Sequence, residues 1–233
     1  MKNDMSLLMR GASEGLAENR TVLVGGHTNE AEEINIGFSA YGEVAEQDLI
    51  RKTGAVDGDL IILTRPLGSG VLFAGAMKGL TKGRWISTTL QEMTKSNANA
   101  SNIFSECGAT SLTDITGFGL IGHLSEMIRG SEKGATIFLE EMPFYDGAIS
   151  LAELGIESTL KPENIKTSHK AAKEIKANAR YQLCFDPQTS GGLLATLKAS
   201  VAQKCLNKLH ESGYTDSTII GQISDISGDI TIC

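Results

Sequence analysis

The 233-residue sequence lacks several features that would define a specialised class of protein. Its longest uninterrupted apolar runs, such as "LIIL" at 60–63, are too short to cross a bilayer, and the N-terminus has no secretory apolar core or cleavage site. The four cysteines include no C-x-x-C pair, which argues against a zinc cluster or a redox dithiol. We therefore predict a cytoplasmic protein that does not enter a membrane and whose thiols are buried or idle.

Clustered positive charge is also lacking. Lys and Arg number 21 against 28 Asp and Glu, which gives a formal net charge of −7. Phosphate backbones are held chiefly by clustered cations, so nucleic acid is not expected as a partner. An anionic small molecule would need metal ions, glycine-rich backbone or a few placed cations. With 41% apolar and 21% charged residues, the composition is that of an ordinary globular protein.

The first part of the chain has three patterned segments. Residues 5–20 carry apolar side chains at helical spacing, and "TVLV" at 21–24 is typical of a buried strand. The segment "INIGFSAYGEV" at 34–44 alternates as a strand of a half-covered sheet does. We predict one helix followed by two strands.

A turn-rich stretch, "DLIRKTGAVDGD" at 48–59, predicts a boundary between a domain over 1–52 and a second over 53–233. Beyond it strands and helices alternate, which predicts an α/β or α+β fold. The predicted elements are a strand at 60–64, helices at 71–77 and from Trp85 to Cys107, a helix from Leu120, a strand at 136–140, polar helices between Tyr145 and Arg180, a strand after Gly192, a helix at 202–213, and strands at 217–223 and 229–232.

One motif, "TDITGFGLIGHL", has glycines in the spacing G-x-G-x-x-G at the start of a predicted helix. Gly117 and Gly119 therefore lie where free backbone N–H groups attract anions. Asp114 just upstream would repel a bare pyrophosphate but would become a ligand if Mg²⁺ lay between them. The motif thus favours a metal–nucleotide complex, although Asp114 or Thr116 could instead simply cap the helix.

A nicotinamide-dependent oxidoreductase is an alternative for the same glycines. The strand at 136–140 ends in Glu140, about where a ribose-binding acid lies in a dinucleotide fold. Against it, a dinucleotide turn normally follows an apolar strand, whereas "SLTDIT" is short and polar. His123 is expected to be a packing or surface residue, and no Ser, His and Asp set indicates a hydrolase.

Three further glycine loops could contact a ligand, although each alone is also compatible with an ordinary turn. In "LVGGHT", Gly25 and Gly26 allow close backbone approach and His27 and Thr28 offer donors. In "TRPLGSG", Arg65 is either a solvated cation or a phosphate contact. In "FDPQTSGG", backbone from 189–192 could form an anion-binding nest.

Taken together, and in the chain order "LVGGHT", "LTRPLGSG", "LTDITGFGLIGHL" and "FDPQTSGGLL", the four motifs resemble selenophosphate synthetase, also called selenide, water dikinase. The resemblance implies the two-domain fold shared with aminoimidazole ribonucleotide synthetase and thiamine-monophosphate kinase, in which N-terminal halves pair as a homodimer. It implies formation of selenophosphate from ATP, selenide and water, with release of AMP and phosphate. Mg²⁺ is required in the family, and K⁺ commonly assists.

Motif by motif, the resemblance gives Asp114 the role of metal ligand. It places Gly25, Gly26 and His27 in the loop that reaches ATP across the dimer. Arg65, Asn97 and the "DPQTSGG" loop match the family without an assigned role.

The chain departs from the family at its front. Family members carry, upstream of "LVGGHT", a glycine-rich segment with a reactive Cys or selenocysteine and a Lys, followed by further metal-binding aspartates. We expect that the N-terminal domain is truncated, that the C-terminal αβ domain is complete, and that no catalytic residue is present. One carboxylate cannot organise the ions that a triphosphate needs for two cleavages, so this chain alone should have little or no dikinase activity. A non-catalytic module that dimerises with or regulates a synthetase is a second hypothesis, and another ATP-dependent enzyme of the superfamily is a third.

Overall fold

The computed structural model describes residues 2–167 and 169–233. The chain forms two compact units, the first reaching Leu49 and the second running from Ile50 to Cys233. Each unit is described separately below.

The first unit contains one long helix. α1 spans Lys2–Glu18, as predicted, and a single 3-10 turn spans Glu46–Asp48. The strands predicted at 21–24 and 34–44 are absent: neither segment belongs to a described strand. The reason is that an extended segment becomes a strand only through hydrogen bonds to a neighbour, and no described residue pairs with these segments. Their apolar side chains are exposed instead, Val24 to 96%.

The second unit alternates strands and helices. Its strands are β1 Leu60–Leu63, β2 Ser111–Asp114, β3 Gly134–Ile137, β4 Lys170–Ala171, β5 Leu193–Leu197, β6 Thr218–Ser224 and β7 Ile230–Ile232. Its helices are α2 Ser69–Met77, α3 Gly83–Thr94, α4 Ala98–Cys107, α5 Gly119–Gly130, α6 Ala148–Glu153, α7 Lys161–Asn164, α8 Lys173–Lys176, α9 Ala179–Leu183 and α10 Ala199–Glu211.

All seven strands form one mixed sheet in the order β2-β5-β1-β6-β3-β7-β4. β5 runs antiparallel to both β1 and β2, and β6 runs antiparallel to both β1 and β3. β7 is parallel to β3 and β4. The predicted mixed α/β class is therefore confirmed. Among the described residues, no helix is long and apolar enough to cross a membrane.

Both faces of the sheet are covered, which explains the continuous apolar run of β1. Ile61 and Leu63 join a core with α5, whereas Ile62 points to the opposite face and packs with α4 and α10. Because side chains alternate along a strand, a strand with helices on both faces buries both sets of side chains, and a continuous apolar run suits both. Burial of these large side chains provides the main stabilisation of the unit.

Two predicted elements differ from those observed. The helix predicted from Trp85 to Cys107 is interrupted, because the backbone is extended at Lys95 and α4 begins only after Asn97. The strand predicted at 136–140 ends at Ile137, and Glu140 lies in a 3-10 turn. Both differences arise from contacts distant in sequence, and the first involves Arg65.

Candidate functional site

Three glycine loops meet at one edge of the sheet. β1 and β2 both run antiparallel to β5, so the carboxyl ends of β1 and β2 lie beside the amino end of β5. The loops that leave or enter the strands there are 64–68, 115–118 and 185–192. The fold thus brings together three of the four motifs identified in the sequence.

Gln188 connects the three loops. Its side-chain Oε1 accepts hydrogen bonds from the N–H groups of Gly68 at 3.0 Å and Ser69 at 3.2 Å. Its own backbone N–H donates to the Thr116 carbonyl at 3.0 Å. Buried amide groups with all partners present fix the relative positions of the segments they join. The site is therefore a rigid surface rather than three independent turns.

Gly191 allows two of these loops to approach closely. A Cβ atom at this position would lie 2.0 Å from the Ile115 carbonyl oxygen. We predict that Gly191→Ala lowers the free energy of unfolding by about 2 kcal/mol, the usual range for overpacking against backbone. Urea denaturation followed by circular dichroism measures it. Gly83→Ala is the matched control and should not destabilise, since a Cβ atom there meets nothing within 4 Å. Gly213→Ala is unsuitable because Gly213 has a φ of +91°.

Asp114 is the last residue of β2 and its side chain is exposed. No described residue forms a hydrogen bond or ion pair with its carboxylate. A solvent-facing carboxylate at the meeting point of three loops can bind a cation without first breaking an internal bond. The carboxylate that the motif identifies as a metal ligand is thus available to bind a cation.

The glycines of the turn are used for packing. Gly119 has a φ of +67°, and a Cβ atom there would lie 2.9 Å from the Phe185 carbonyl carbon. At the start of α5, the Gly119 N–H donates to Thr116 and the Ile121 N–H to Cys184. Two of the amides that a helix N-terminus leaves free therefore already have partners in the protein. A Cβ atom at Gly117 would make only an ordinary contact, 3.8 Å from Leu160 Cδ1.

His123 packs inside the fold, as the sequence suggested. Its side chain is 6% exposed, and Nε2 accepts a hydrogen bond from the Thr116 backbone N–H at 3.0 Å. Burial lowers the pKa of His123, although the charges of Glu126 and Asp114 oppose this effect. Nδ1 is buried and has no hydrogen-bond partner within the part of the chain that the structure describes.

Arg65 is buried, which corrects the interpretation of a solvated cation. The residue is 2% exposed, and its guanidinium donates to the carbonyls of Ser190, Gly191 and Lys95, the last at 2.9 Å. Asn97 Oδ1 lies 3.3 Å away. Over residues 2–167 and 169–233 it forms no ion pair. Arg65 therefore holds the 189–192 loop against the break between α3 and α4.

Asp186 is a second buried charge that the sequence did not reveal. Its carboxylate accepts hydrogen bonds from the Val71 N–H at 3.1 Å and from the Ser158 hydroxyl at 3.0 Å. Burial raises its pKa to about 6, and these donors oppose that rise. Asp186 thus caps the N-terminus of α2. The sequence held one sign of this contact. Gly68, at the N-cap position of α2, has no side chain that could cap the helix, so a cap has to come from another segment.

The fourth motif lies in the first unit. Gly25, Gly26, His27 and Thr28 are exposed and have no regular secondary structure. Among the described residues, no group of three or more His, Cys, Asp or Glu side chains is placed to hold a metal ion.

The sheet topology argues against a dinucleotide-binding turn. In that fold the glycine turn connects two parallel strands through a helix, and the ligand lies at a switch point within a parallel sheet. Here β2 is an edge strand whose neighbour β5 is antiparallel, and β3, which follows α5, lies four places away in the sheet. The oxidoreductase hypothesis loses its structural basis.

Comparison with known proteins agrees with this fold. Residues 56–232 match the family model "AIR synthase related protein, C-terminal domain". The structure of hydrogenase maturation protein HypE in complex with ATP superposes with a TM-score of 0.61 at 16% identity, over 82% of this chain and 52% of that one. Thiamine-monophosphate kinase from Stenotrophomonas maltophilia K279a superposes with a TM-score of 0.58 at 18% identity, over 81% of this chain and 54% of that one. The predicted aminoimidazole ribonucleotide synthetase-like fold is confirmed.

Curated relatives extend over nearly the whole chain. Selenide, water dikinase of Clostridioides difficile (strain 630) is 31% identical over 95% of this chain and 65% of its own length. Selenide, water dikinase of Campylobacter jejuni subsp. jejuni serotype O:2 is 32% identical over 99% of this chain and 67% of its own length. The chain thus spans about two thirds of the length of these relatives. It belongs to the selenide, water dikinase family and carries that family's AIR synthase-related C-terminal domain.

Proposed function

We propose that this chain provides the Mg²⁺–ATP-binding surface of a selenophosphate synthetase. The reaction would convert ATP, selenide and water to selenophosphate, AMP and phosphate. The observation that carries the proposal is the unpartnered carboxylate of Asp114, exposed where three motif loops meet. The names of the curated relatives support the reaction, and the ATP bound to HypE supports the nucleotide.

The exposed carboxylate of Asp114 can supply one of the ligands that Mg²⁺ needs. Mg²⁺ is usually bound through one or two carboxylates, with phosphate oxygens and water in the remaining positions. Asp114 would supply the protein ligand, and the metal would neutralise charge on the phosphates. Gly117 and Gly119 would form the adjoining turn. The family resemblance assigns Gly25, Gly26, His27 and Thr28 to ATP binding across a dimer, and that assignment remains a prediction. A role for K⁺ remains a prediction.

We propose that the chain alone does not turn over. Burial raises the pKa of both Cys184 and Cys205 to about 12, so neither thiol forms the thiolate that a nucleophile needs. The single metal ligand also leaves the triphosphate incompletely neutralised. Catalysis would depend on the Cys and Lys that the family resemblance places upstream.

We further propose that residues 1–52 belong to an ATP-binding and dimerisation domain. Ile34, Ile36 and Phe38 are 43–55% exposed on a segment without a strand partner. Such apolar edges favour pairing with another chain, so a homodimer is expected. With ATP and selenide as its substrates, the reaction is expected in the cytoplasm.

Calorimetric titration of ATP, with and without Mg²⁺, tests the proposed site. We predict Mg²⁺-dependent binding that Asp114→Asn weakens at least tenfold, because the neutral amide is a poorer ligand for a hard cation. Asp57→Asn removes an exposed carboxylate from the opposite end of β1 and should leave affinity unchanged. Equal affinity of the Asp114→Asn variant and the unmodified chain would refute the assignment of Asp114.

The second candidate is a non-catalytic module that associates with a complete synthetase. The exposed apolar side chains of the first unit favour it. Binding to a complete synthetase in the absence of any ATP binding would support the module; Mg²⁺-dependent ATP binding would support the nucleotide site.

A further inference from the structure

His123 accepts a hydrogen bond from the turn that follows Asp114. Its Nε2 lies 3.0 Å from the Thr116 backbone nitrogen and 3.2 Å from the Thr116 hydroxyl. Because a backbone N–H can only donate, Nε2 must be the unprotonated nitrogen, and the proton of the neutral ring lies on Nδ1. The tautomer is therefore set by the turn.

This arrangement leaves a buried donor without an acceptor. No described residue accepts a hydrogen bond from Nδ1. Glu126 Oε2 lies 3.9 Å away and is already paired with Lys52 Nζ at 2.8 Å. Leaving a buried N–H unpaired is unfavourable, so an apolar side chain would suit this position better if only packing mattered. What the imidazole adds is the acceptor that faces Thr116.

The bond satisfies the backbone N–H of Thr116, whose carbonyl already accepts hydrogen bonds from the N–H groups of Gln188 and Gly119. The Ile115 N–H donates to Gly192, and Asn164 Nδ2 donates to the Gly117 carbonyl at 2.9 Å. Between these anchors, the Thr116 N–H is held by His123. The exposed ring of Phe118 lies against the same imidazole, with ring centroids 5.7 Å apart.

We infer that His123 is a positioning residue, whose Nε2 fixes the turn at Thr116 and thereby orients the Asp114 carboxylate toward a divalent cation. Only the part of the inference that concerns the cation rests on the proposed function, because the effect of His123 on the turn can be measured without a ligand. It assigns a role to a histidine that touches neither nucleotide nor metal. Sites of this kind depend on such supporting bonds to hold a ligand in place.

Four variants separate the hydrogen bond from the bulk of the ring. His123→Leu keeps an apolar side chain of similar size but removes the acceptor. His123→Gln places an oxygen near the position of Nε2, whereas the shorter His123→Asn does not reach it. Thr116→Val removes the hydroxyl and keeps the backbone N–H. If the leucine variant does not fold, the Gln and Asn variants supply the same comparison.

Two readouts are needed: hydrogen exchange at the Thr116 amide, followed by NMR, and the affinity of the chain for Mn²⁺ as a spectroscopic substitute for Mg²⁺. We expect His123→Leu to speed Thr116 exchange at least tenfold and to weaken Mn²⁺ binding at least fivefold without lowering the melting temperature. His123→Gln should restore both, and Thr116→Val should retain slow exchange.

Several results would overturn the inference. Unchanged Thr116 exchange in His123→Leu or His123→Asn would show that the bond does not hold the turn. Faster exchange with unchanged Mn²⁺ affinity would show that the turn does not orient Asp114. If the unmodified chain bound no Mn²⁺, the proposed function would fail, and Thr116 exchange alone would decide whether His123 fixes the turn.

Discussion

Replacing Arg65 by methionine is expected to lower the free energy of unfolding by about 3 kcal/mol or more. Methionine has a similar length and is apolar, so the loss would come from hydrogen bonds rather than from a cavity. The carbonyls of Ser190, Gly191 and Lys95 would each lose a hydrogen bond from a charged donor, and such a bond contributes about 1.5–3 kcal/mol. Gly191 would keep the bond from the Asn97 side-chain amide at 3.0 Å. Removing an uncompensated buried charge offsets part of this cost.

Urea denaturation at constant pH measures the effect. Arg129→Met is the matched control, because among the described residues its guanidinium forms hydrogen bonds only with Ser125 on the same helix. Exposed substitutions usually change stability by about 0.5 kcal/mol or less. Arg65→Lys should also destabilise, since an ammonium group cannot reproduce a planar fork of donors. Equal stability of Arg65→Met and Arg129→Met would contradict a structural role for the guanidinium.

Asp186 is expected to make stability depend on pH between about 4 and 6. Its pKa is about 6 in the fold against an ordinary value of 3.8, so within this window the folded state holds a proton that the unfolded chain has released. The folded state then binds more protons, and stability falls as pH rises. The expected decrease from pH 4 to pH 7 is about 2 kcal/mol.

The Asp186→Asn variant isolates this effect, because the amide does not titrate. The free energy of unfolding of the unmodified chain, minus that of the variant, should decrease by about 2 kcal/mol from pH 4 to pH 7. The Ser158 hydroxyl bond lowers the pKa of Asp186, so Ser158→Ala should move the upper end of the window to higher pH. A difference that stays constant with pH would show that Asp186 has an ordinary pKa.

Elements specified by local pattern were predictable from the sequence. β1 and α2 follow from short apolar runs and α10 from apolar residues at helical spacing, and the glycine loops mark the site because few residues other than glycine permit such close backbone contacts. Asp114 could be identified because a lone acid before a glycine turn has a distinct chemistry. Its freedom from internal partners could not be predicted.

Long-range contacts explain what the sequence did not predict. The break between α3 and α4 involves Arg65, thirty positions before Lys95, and periodicity alone gives no sign of it. The segments at 21–24 and 34–44 have strand-like patterns, but a strand also requires a neighbour. The burial of Asp186 results from the approach of α2, more than a hundred residues earlier in the chain.

The strand order has a consequence for synthesis on the ribosome. Among the described strands, no two of β1, β2, β3 and β4 are neighbours; each of their partners is β5, β6 or β7. The first four strands therefore emerge from the exit tunnel without a partner, and the sheet cannot close until residues 193–232 have been translated. Pairings this distant in sequence fold slowly, so the nascent chain would expose apolar strands for much of its elongation and would be a natural client for a chaperone.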